Sequence, residues 1–392
     1  MAIAATGLAQ PASAADIHSQ QWYLSAMKAD ELWERSTGEG VKVAVIDTGV
    51  NPDTSSLKGQ VIPVGSSEVL GYKATEDFNG HGTTMAELIA GTGVDGGLKG
   101  LAPDAKIVPY RVAMQGQSET EQQKAPDLAK VIRAVADSDV KIINMSFTAS
   151  IDDVEDLEAV KYAHSKGKLM FAGTGNDAEE KNFIGYPAAY PYVVGVAASD
   201  ESGKVAKFSE YGNYVDLAAP GLDMPGWCDA TFSSYCDQGG TSAATALASA
   251  SAALIWSAHP DWTASQVLAS LIDTAGRDWA RDDPSVYLGY GLIRPRQVLK
   301  NADFNPGAAN IDPLARENAT GVLDESGDPV TSSTAPSPQP SKDTSGSQAQ
   351  QPVASEADTS DDTTLWVALG SVAAVLVIGG GAFAVIRSRR GA

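Results

Sequence analysis

The sequence predicts a three-layer α/β fold, with helices on both faces of a mostly parallel central sheet, followed by a disordered linker and one C-terminal transmembrane helix. Apolar β-branched runs alternate with helical patterns between residues 16 and 300, the composition changes over 301–362, and an uncharged stretch lies near the end. Parallel strands are buried on both faces and are joined by crossover helices, so this alternation indicates that fold class.

Five segments have the apolar, β-branched composition of buried strands. They are Val41–Ile46, Ile107–Val112, Lys141–Met145, Leu169–Ala172 and Val193–Ala197. Longer segments with helical patterns lie between or after them, at Ala125–Ser138, Val154–Lys166, Thr241–Ser257 and Ala264–Thr274. We therefore assign residues 16–300 to a single folded domain.

Composition and charge restrict the class of partner. The 392 residues are 43% hydrophobic, which is enough for a substantial core. The formal net charge is −21, whereas nucleic acids and anionic lipid surfaces bind basic patches. We expect no nucleic-acid partner.

Residues 1–15 are interpreted as a signal peptide. They are small and apolar and end in Ala12-Ser13-Ala14, which fits the small-x-small pattern of a cleavage site. No basic residue precedes the short apolar run, so we expect the signal peptide to be truncated. A disordered, alanine-rich N-terminus is the alternative.

The C-terminal part predicts a tether and a membrane anchor. Residues 301–362 are rich in Ser, Thr, Pro, Gln and acidic residues, and such segments bury too little surface to fold. The predicted transmembrane helix covers 363–387, within which Leu365–Ile386 is uncharged and spans roughly 33 Å. Basic residues follow it, so residues 388–392 form a cytoplasmic tail and the folded domain lies outside the cell membrane.

Three short segments carry the candidate chemistry. Asp47, His81 and Ser242 stand in Asp-Thr-Gly, Gly-His-Gly-Thr and Gly-Thr-Ser-Ala sequences. A carboxylate that directly follows a buried strand can orient a histidine, which in turn can take the proton of a serine hydroxyl. An aspartic protease would need a second Asp-Thr-Gly loop, and an α/β-hydrolase would need glycine where Ala244 stands.

Two further groups are candidates for stabilising an oxyanion. Ser242 opens a predicted helix, where the backbone N–H and the positive end of the helix dipole favour developing negative charge. Asn176 follows the strand at Leu169–Ala172 within a Gly-Thr-Gly-Asn sequence, and its amide could supply a second donor. Read alone, each motif is also compatible with a capping serine or an ordinary turn.

Together these segments resemble the subtilisin-like serine peptidases, or subtilases. Further matches are Gly100–Pro103, Asn144–Phe147 and Ala218–Gly221. The resemblance implies a subtilisin-like fold and a serine endopeptidase acting on proteins or peptides. We expect no cofactor, and calcium, which the family commonly binds, is not supported by this sequence. The resemblance also implies that Ser146, Phe147, Gly173, Thr174 and Gly175 line the cleft for the residue before the scissile bond. Thr148 stands where many members have glycine, so we expect small residues to be favoured there.

The predicted anchor, the tether and a short N-terminal segment resemble the mycosins, the actinobacterial subtilases associated with type VII secretion. This resemblance implies that the N-terminal residues wrap the catalytic domain and that the secretion machinery is a partner. Exported proteins would be the substrates. The alternative is a structural component of a secretion or cell-surface complex, in which proteolysis is secondary.

Cys228 and Cys236 are the two cysteines of the chain. In an exported domain a disulfide between them is the default expectation. The loop Thr92–Lys99 is short and lacks the ligands of the calcium site common in subtilases. We therefore expect no metal site.

Overall fold

The structure is a computed structural model that describes residues 17–64, 70, 72–114 and 116–323. The chain divides into two compact units, Met1–Ser333 and Thr334–Ala392, and every described residue belongs to the first. The predicted signal peptide, the linker from residue 324 onward, the transmembrane helix and the cytoplasmic tail lie outside the described residues.

The first unit is built around a six-stranded sheet in the order β2-β1-β3-β4-β5-β6, and all its pairs are parallel. A two-stranded antiparallel hairpin, β7-β8, stands apart from it. The strands are β1 (Lys42–Asp47), β2 (Lys106–Arg111), β3 (Ile142–Met145), β4 (Leu169–Gly173), β5 (Val193–Ser199), β6 (Leu217–Pro220), β7 (Pro225–Trp227) and β8 (Tyr235–Asp237).

Helices cover both faces of the sheet. They are α1 (Ile17–Gln20), α2 (Trp22–Ala26), α3 (Ala29–Trp33), α4 (His81–Ala90), α5 (Glu119–Lys124), α6 (Leu128–Ala136), α7 (Val154–Ser165), α8 (Thr241–Ala258), α9 (Ala264–Thr274), α10 (Pro295–Leu299) and α11 (Ala315–Thr320). The three-layer α/β class predicted from the sequence is confirmed, as are the five predicted strands and four predicted helices to within a few residues. Strand β6 and the hairpin were not predicted, because their apolar runs are too short to be distinguished from loops.

Two hydrophobic cores lie on opposite faces of the sheet. Along β1, Val43 and Val45 belong to the core that α4, α8 and α9 complete. Ala44 and Ile46 point the other way, into the core formed with α6 and α7. This alternation is the period-2 geometry of a strand buried on both sides, and it fixes the layers that position the site.

The N-terminal segment wraps the domain, as the resemblance to the mycosins implies. Trp22 donates its indole N–H to the carbonyl oxygens of Leu222 and Asp223, at 3.1 and 3.2 Å. Trp33 donates to the carbonyl of Leu101 at 2.9 Å. Tyr23 and Leu32 are fully buried. These helices are too short to be stable alone, so their order depends on this packing.

The folded domain continues beyond the predicted boundary at residue 300. Leu314 is 2% exposed, Asn318 accepts a hydrogen bond from the backbone N–H of Tyr192 at 2.9 Å, and Asn213 bonds both Gly321 and Leu323. The composition of this segment predicted disorder because it has few apolar residues. The buried Leu314 side chain and hydrogen bonds with the domain hold it instead, so residues 301–323 belong to the folded domain rather than to the predicted linker.

Within the described ranges, no helix is long and apolar enough to cross a membrane. The transmembrane prediction for 363–387 lies outside those ranges.

Candidate active site

The candidate residues meet at the carboxyl edge of the parallel sheet. Strand β1 is flanked by β2 on one side and β3 on the other, so the chain reverses its direction of winding there. In open α/β sheets the ligand crevice forms at such a switch point, outside the carboxyl ends of the strands. Asp47 is the last residue of β1, Ser146 directly follows β3, and Asn176 lies just after β4.

Asp47 and His81 are in direct contact. The ring Nδ1–H of His81 donates to Oδ1 of Asp47 at 2.7 Å, and the same oxygen accepts the backbone N–H of Thr48 at 2.7 Å. The Asp47 carboxylate is fully buried, whereas the His81 side chain is 25% exposed. Because Nδ1 carries the proton in this contact, the neutral ring has its lone pair on Nε2.

The start of helix α4 is held by an aspartate that the sequence analysis did not single out. Asp77 is 8% exposed and accepts the N–H groups of Gly80 and Thr83, both at 2.8 Å. It also accepts the hydroxyl of Thr48, at 2.8 Å. Asp is a strong helix-capping residue, so its position shortly before the helical run is the signal that could have identified it.

Gly82 allows α4 to approach the end of β1. A Cβ at this position would collide with the carbonyl oxygen of Gly49 and would lie 3.0 Å from the Cβ of Asp47. The absence of a side chain therefore sets the distance between the strand that carries Asp47 and the helix that carries His81.

The environment of His81 raises its pKa above the ordinary value. Burial of the imidazole lowers the pKa, but the negative charge of Asp47, its hydrogen bond and the charge of Asp77 outweigh that effect. The protonated ring is therefore favoured more than in a free histidine, which suits a group that must receive a proton and hold it.

Ser242 is the second residue of the long helix α8. Its hydroxyl donates to the carbonyl oxygen of Ser146 at 2.9 Å, and the Ser146 hydroxyl donates to the carbonyl of Ser242 at 2.9 Å. Within the described part of the chain, Ser242 makes no hydrogen bond to His81. Catalytic hydrogen bonds of unliganded enzymes are often long or poorly aligned and tighten when substrate binds.

Asn176 lies beside the N-terminus of α8. Its Oδ1 accepts the backbone N–H of Thr241 at 2.9 Å, and the side chain lies against Gly240. Since the carbonyl half of the amide is engaged with the helix, the NH₂ half is turned away from that bond. It can serve a ligand together with the N–H of Ser242, where the helix dipole is positive.

The predicted cleft residues differ in how they face solvent. Ser146 and Thr174 are almost fully buried, and the Thr174 hydroxyl donates to Val196 within the fold. Gly173 packs against Thr241, whose hydroxyl accepts the N–H of Gly175 at 3.2 Å. Phe147 is partly buried against the core on the α6 and α7 side. These residues position the backbone around Ser242.

Next to them is an open cavity of about 330 Å³. Its lining comes from the residues that follow Phe147 and Asn176 and from two later loops: Thr148, Ala149, Ser150, Ile151, Asp177, Phe183, Gly185 and Glu210. Of these residues, only Thr148 was expected at the substrate cleft from the sequence. Glu210 lies far away in the sequence and only the fold brings it here.

The structure does not contain the predicted disulfide between Cys228 and Cys236. Both are free thiols, and Cys236 accepts a hydrogen bond from Gln238. Burial and a hydrogen bond from the neighbouring Cys228 raise the pKa of Cys236. Among the described residues, no group of three or more His, Cys, Asp or Glu side chains could hold a metal ion.

Comparisons with known proteins point to one family. The model of the subtilase family, peptidase family S8, matches residues 38–295. Subtilisin Savinase of Lederbergia lenta is 34% identical over 264 residues, covering 66% of this chain and 91% of that protein. The minor extracellular protease Epr of Bacillus subtilis is 33% identical over 291 residues, and the match spans 41% of its length.

Among solved structures, a similar one is MycP1, described as a serine protease and an essential component of the type VII (ESX-1) secretion system. The TM-score is 0.61 with 27% identity, and the match covers 74% of this chain and 91% of that chain.

Proposed function

Because the chain belongs to the subtilase family of serine endopeptidases, we propose that Asp47, His81 and Ser242 are its catalytic triad and that it hydrolyses peptide bonds of exported proteins. The observation that carries the proposal is the 2.7 Å bond between His81 Nδ1 and Asp47 Oδ1, at the same edge of the sheet as a serine on a helix N-terminus. That combination supplies a base, its orienting carboxylate and a nucleophile.

In the proposed reaction the Ser242 hydroxyl leaves the carbonyl of Ser146 and turns to Nε2 of His81. His81 takes the hydroxyl proton as Ser242 Oγ attacks the substrate carbonyl, and it then gives that proton to the leaving amine. Asp47 stays ionised and stabilises the imidazolium, which it holds in the productive tautomer. Water then releases the acyl group from Ser242 by the same steps in reverse.

The oxyanion that forms on the substrate carbonyl is assigned to two donors, the amide of Asn176 and the backbone N–H of Ser242. Both are fixed before substrate binds, Asn176 by its bond to Thr241 and Ser242 by helix α8. Preorganised donors stabilise the transition state without the cost of reorganisation.

The direct test of the nucleophile is labelling with a fluorophosphonate probe. We expect the full-length protein to be labelled and the Ser242→Ala variant not to be. Ser257→Ala, at the exposed end of the same helix, is the matched control and should be labelled like the wild type. Wild-type protein that is folded but resists the probe would contradict the proposed activity.

Asn176→Ala is expected to lower kcat by about 100- to 1,000-fold with little change in KM, because the donor acts mainly in the transition state. The range comes from a member of this family, subtilisin. Asn176→Asp keeps the oxygen that binds Thr241 but replaces the donor by a negative charge, so it should be at least as impaired. Asn305→Ala, an exposed asparagine whose Oδ1 accepts the N–H of Gly307, is the control. A normal kcat in Asn176→Asp would exclude the assigned role.

We propose further that the folded domain lies outside the cell membrane, tethered by a C-terminal anchor. The support is the uncharged stretch Leu365–Ile386 with basic residues after it, which satisfies the length and charge rules for a single span. Truncation after Asp362 is expected to move the protein from the membrane fraction to the soluble fraction without loss of probe labelling. A truncated protein that stays with the membranes would refute the anchor.

A structural role in a secretion complex is the second candidate function, and type VII secretion machinery is then the proposed partner. The similarity to MycP1, whose description names it an essential component of such a system, is what favours it. The peptidase function and the structural role predict different results for secretion by the Ser242→Ala variant. If Ser242→Ala loses labelling but supports secretion as well as the wild type does, the structural role is the essential one.

A further inference from the structure

The cavity beside the triad has an acidic wall and no basic lining residue. Of the described residues that line it, Glu210 and Asp177 are ionisable, and none is lysine, arginine or histidine. Neither carboxylate takes part in an ion pair within the described part of the chain. The cavity therefore presents two carboxyl groups that no cationic side chain of the described residues pairs with.

Its position is that of a pocket for the residue before the scissile bond. Thr148, on one side, is two residues beyond Ser146, whose carbonyl holds the Ser242 hydroxyl. Asp177, on the other side, directly follows Asn176. A substrate carbonyl bound between Ser242 and Asn176 would place its own side chain between these two walls.

The Glu210 carboxyl group is fixed in place by the fold. The residue is 2% exposed, its backbone N–H donates to the carbonyl of Gly175 at 3.0 Å, and its Oε1 accepts the N–H of Phe183 at 3.3 Å. Gly175 has φ +121°, and a Cβ there would collide with the Glu210 carboxylate. The Glu210 carboxyl group thus lies directly against Gly175, the residue that precedes Asn176.

Resting on the proposed peptidase function, we propose that Glu210, assisted by Asp177 at the exposed mouth of the cavity, selects lysine or arginine in the residue before the scissile bond. The apolar stem of such a side chain can lie along Phe183 and Ile151, while its cationic head reaches the carboxylates. An uncharged side chain would offer the two carboxylates no opposite charge.

The expectation from the sequence that Thr148 favours small side chains competes with this proposal, and the volume of the cavity bears on it. The Cγ2 of Thr148 lies 3.1 Å from the position that a Cβ of Gly185 would take, so Thr148 covers that glycine. The volume of about 330 Å³ remains open beside it. A long side chain therefore has room on the wall opposite Thr148.

The protonation state of Glu210 predicts a pH dependence of the preference for a cationic side chain. Burial, followed by the charge of Asp177, raises the pKa of Glu210 to about 7. The Tyr214 phenol also faces it, and Lys181, which lies over the Phe183 ring at 4.7 Å, is on the neighbouring loop. Glu210 is more fully ionised as the pH rises through 7, so the preference for a cationic side chain should increase over that range.

The test compares two peptides that differ only in that residue, lysine or its neutral Nε-acetyl form, on the full-length protein. We expect kcat/KM to favour lysine, and the lysine-to-acetyl-lysine ratio to fall by about 30-fold or more in Glu210→Gln. Glutamine keeps the shape of the Glu210 side chain and an oxygen that can accept the backbone N–H of Phe183. The ratio should fall less in Asp177→Asn and not at all in Glu179→Gln, a control on the same loop that does not line the cavity.

Both peptides are cleaved with the same His81, so the titration of His81 cancels in the ratio of their kcat/KM values. In the wild type that lysine-to-acetyl-lysine ratio should rise between pH 6 and 8. Equal cleavage of the two peptides by the wild type, or an equal loss for both in Glu210→Gln, would overturn the inference and leave the peptidase function standing. Failure to cleave either peptide, together with failure of probe labelling, would refute the proposed function itself. If Glu210→Gln does not fold, the Asp177→Asn ratio and the wild-type pH dependence decide the question.

Discussion

Ser242→Ala is expected to lower kcat for peptide hydrolysis by about 10⁶-fold and to change KM by no more than a few-fold. In the proposed mechanism the hydroxyl forms the covalent bond to the substrate, so its loss removes the whole acyl-enzyme route rather than one stabilising contact. The magnitude follows that of the corresponding serine in subtilisin, a member of the same family. Residual hydrolysis above the uncatalysed rate would come from the oxyanion donors and substrate binding.

The measurement is steady-state hydrolysis of a peptide substrate with purified full-length protein. Ser257→Ala should retain wild-type kcat, because its hydroxyl bonds only the carbonyl of Glu39 at the far end of α8. His81→Ala should lose about as much as Ser242→Ala, and the double variant should lose little more, because the two residues act as a unit. A Ser242→Ala variant with kcat near the wild type would refute the proposed mechanism.

Asp47→Asn is expected to lower kcat by about 10⁴-fold while the protein stays folded. Asparagine has the same shape, and its carbonyl oxygen can still accept the N–H groups of Thr48 and His81. It lacks the negative charge that stabilises the imidazolium formed when His81 takes the Ser242 proton. The exposed Asp53→Asn is the matched control for the loss of one carboxylate and should be as active as the wild type. Unchanged kcat in Asp47→Asn would show that the imidazolium is stabilised by another group.

The pH dependence of the two proteins should differ in a defined direction. In the wild type His81 must be neutral to accept the serine proton, and its pKa is raised, so kcat/KM should fall on the acid side at a pH above the ordinary histidine value of about 6.5. In Asp47→Asn the attraction of Asp47 is gone and burial, which lowers the pKa, dominates. The acid limb of the residual activity should therefore move to lower pH.

The fold was predictable because its strands are buried on both faces. Near-continuous apolar runs that alternate with helical patterns are typical of a parallel sheet covered by helices. The domain boundary was not predictable from the same kind of signal. Residues 301–323 are mostly polar, and they are held by hydrogen bonds such as that between Asn318 and Tyr192 together with a few apolar side chains such as Leu314. Composition reports how much apolar surface a segment can bury, not which polar partners the rest of the domain offers it.

The sequence by itself determined the residue types on which the chemistry depends. Asp47, His81 and Ser242 are recognisable in short motifs because orientation, proton transfer and nucleophilic attack each require a particular side chain next to a strand end or a helix start. Local sequence is sufficient for that information. It is also sufficient for Asn176, which follows a strand in a glycine-rich turn.

Only the tertiary structure decided what surrounds those residues. It brought Asp77 to the start of α4, directed the Ser242 hydroxyl to Ser146, and placed Glu210 against Gly175 in the cavity beside the site. The physical reason is that a side chain's partners depend on which backbone segments the sheet order brings together. Those segments are far apart in sequence, and no local pattern records their approach.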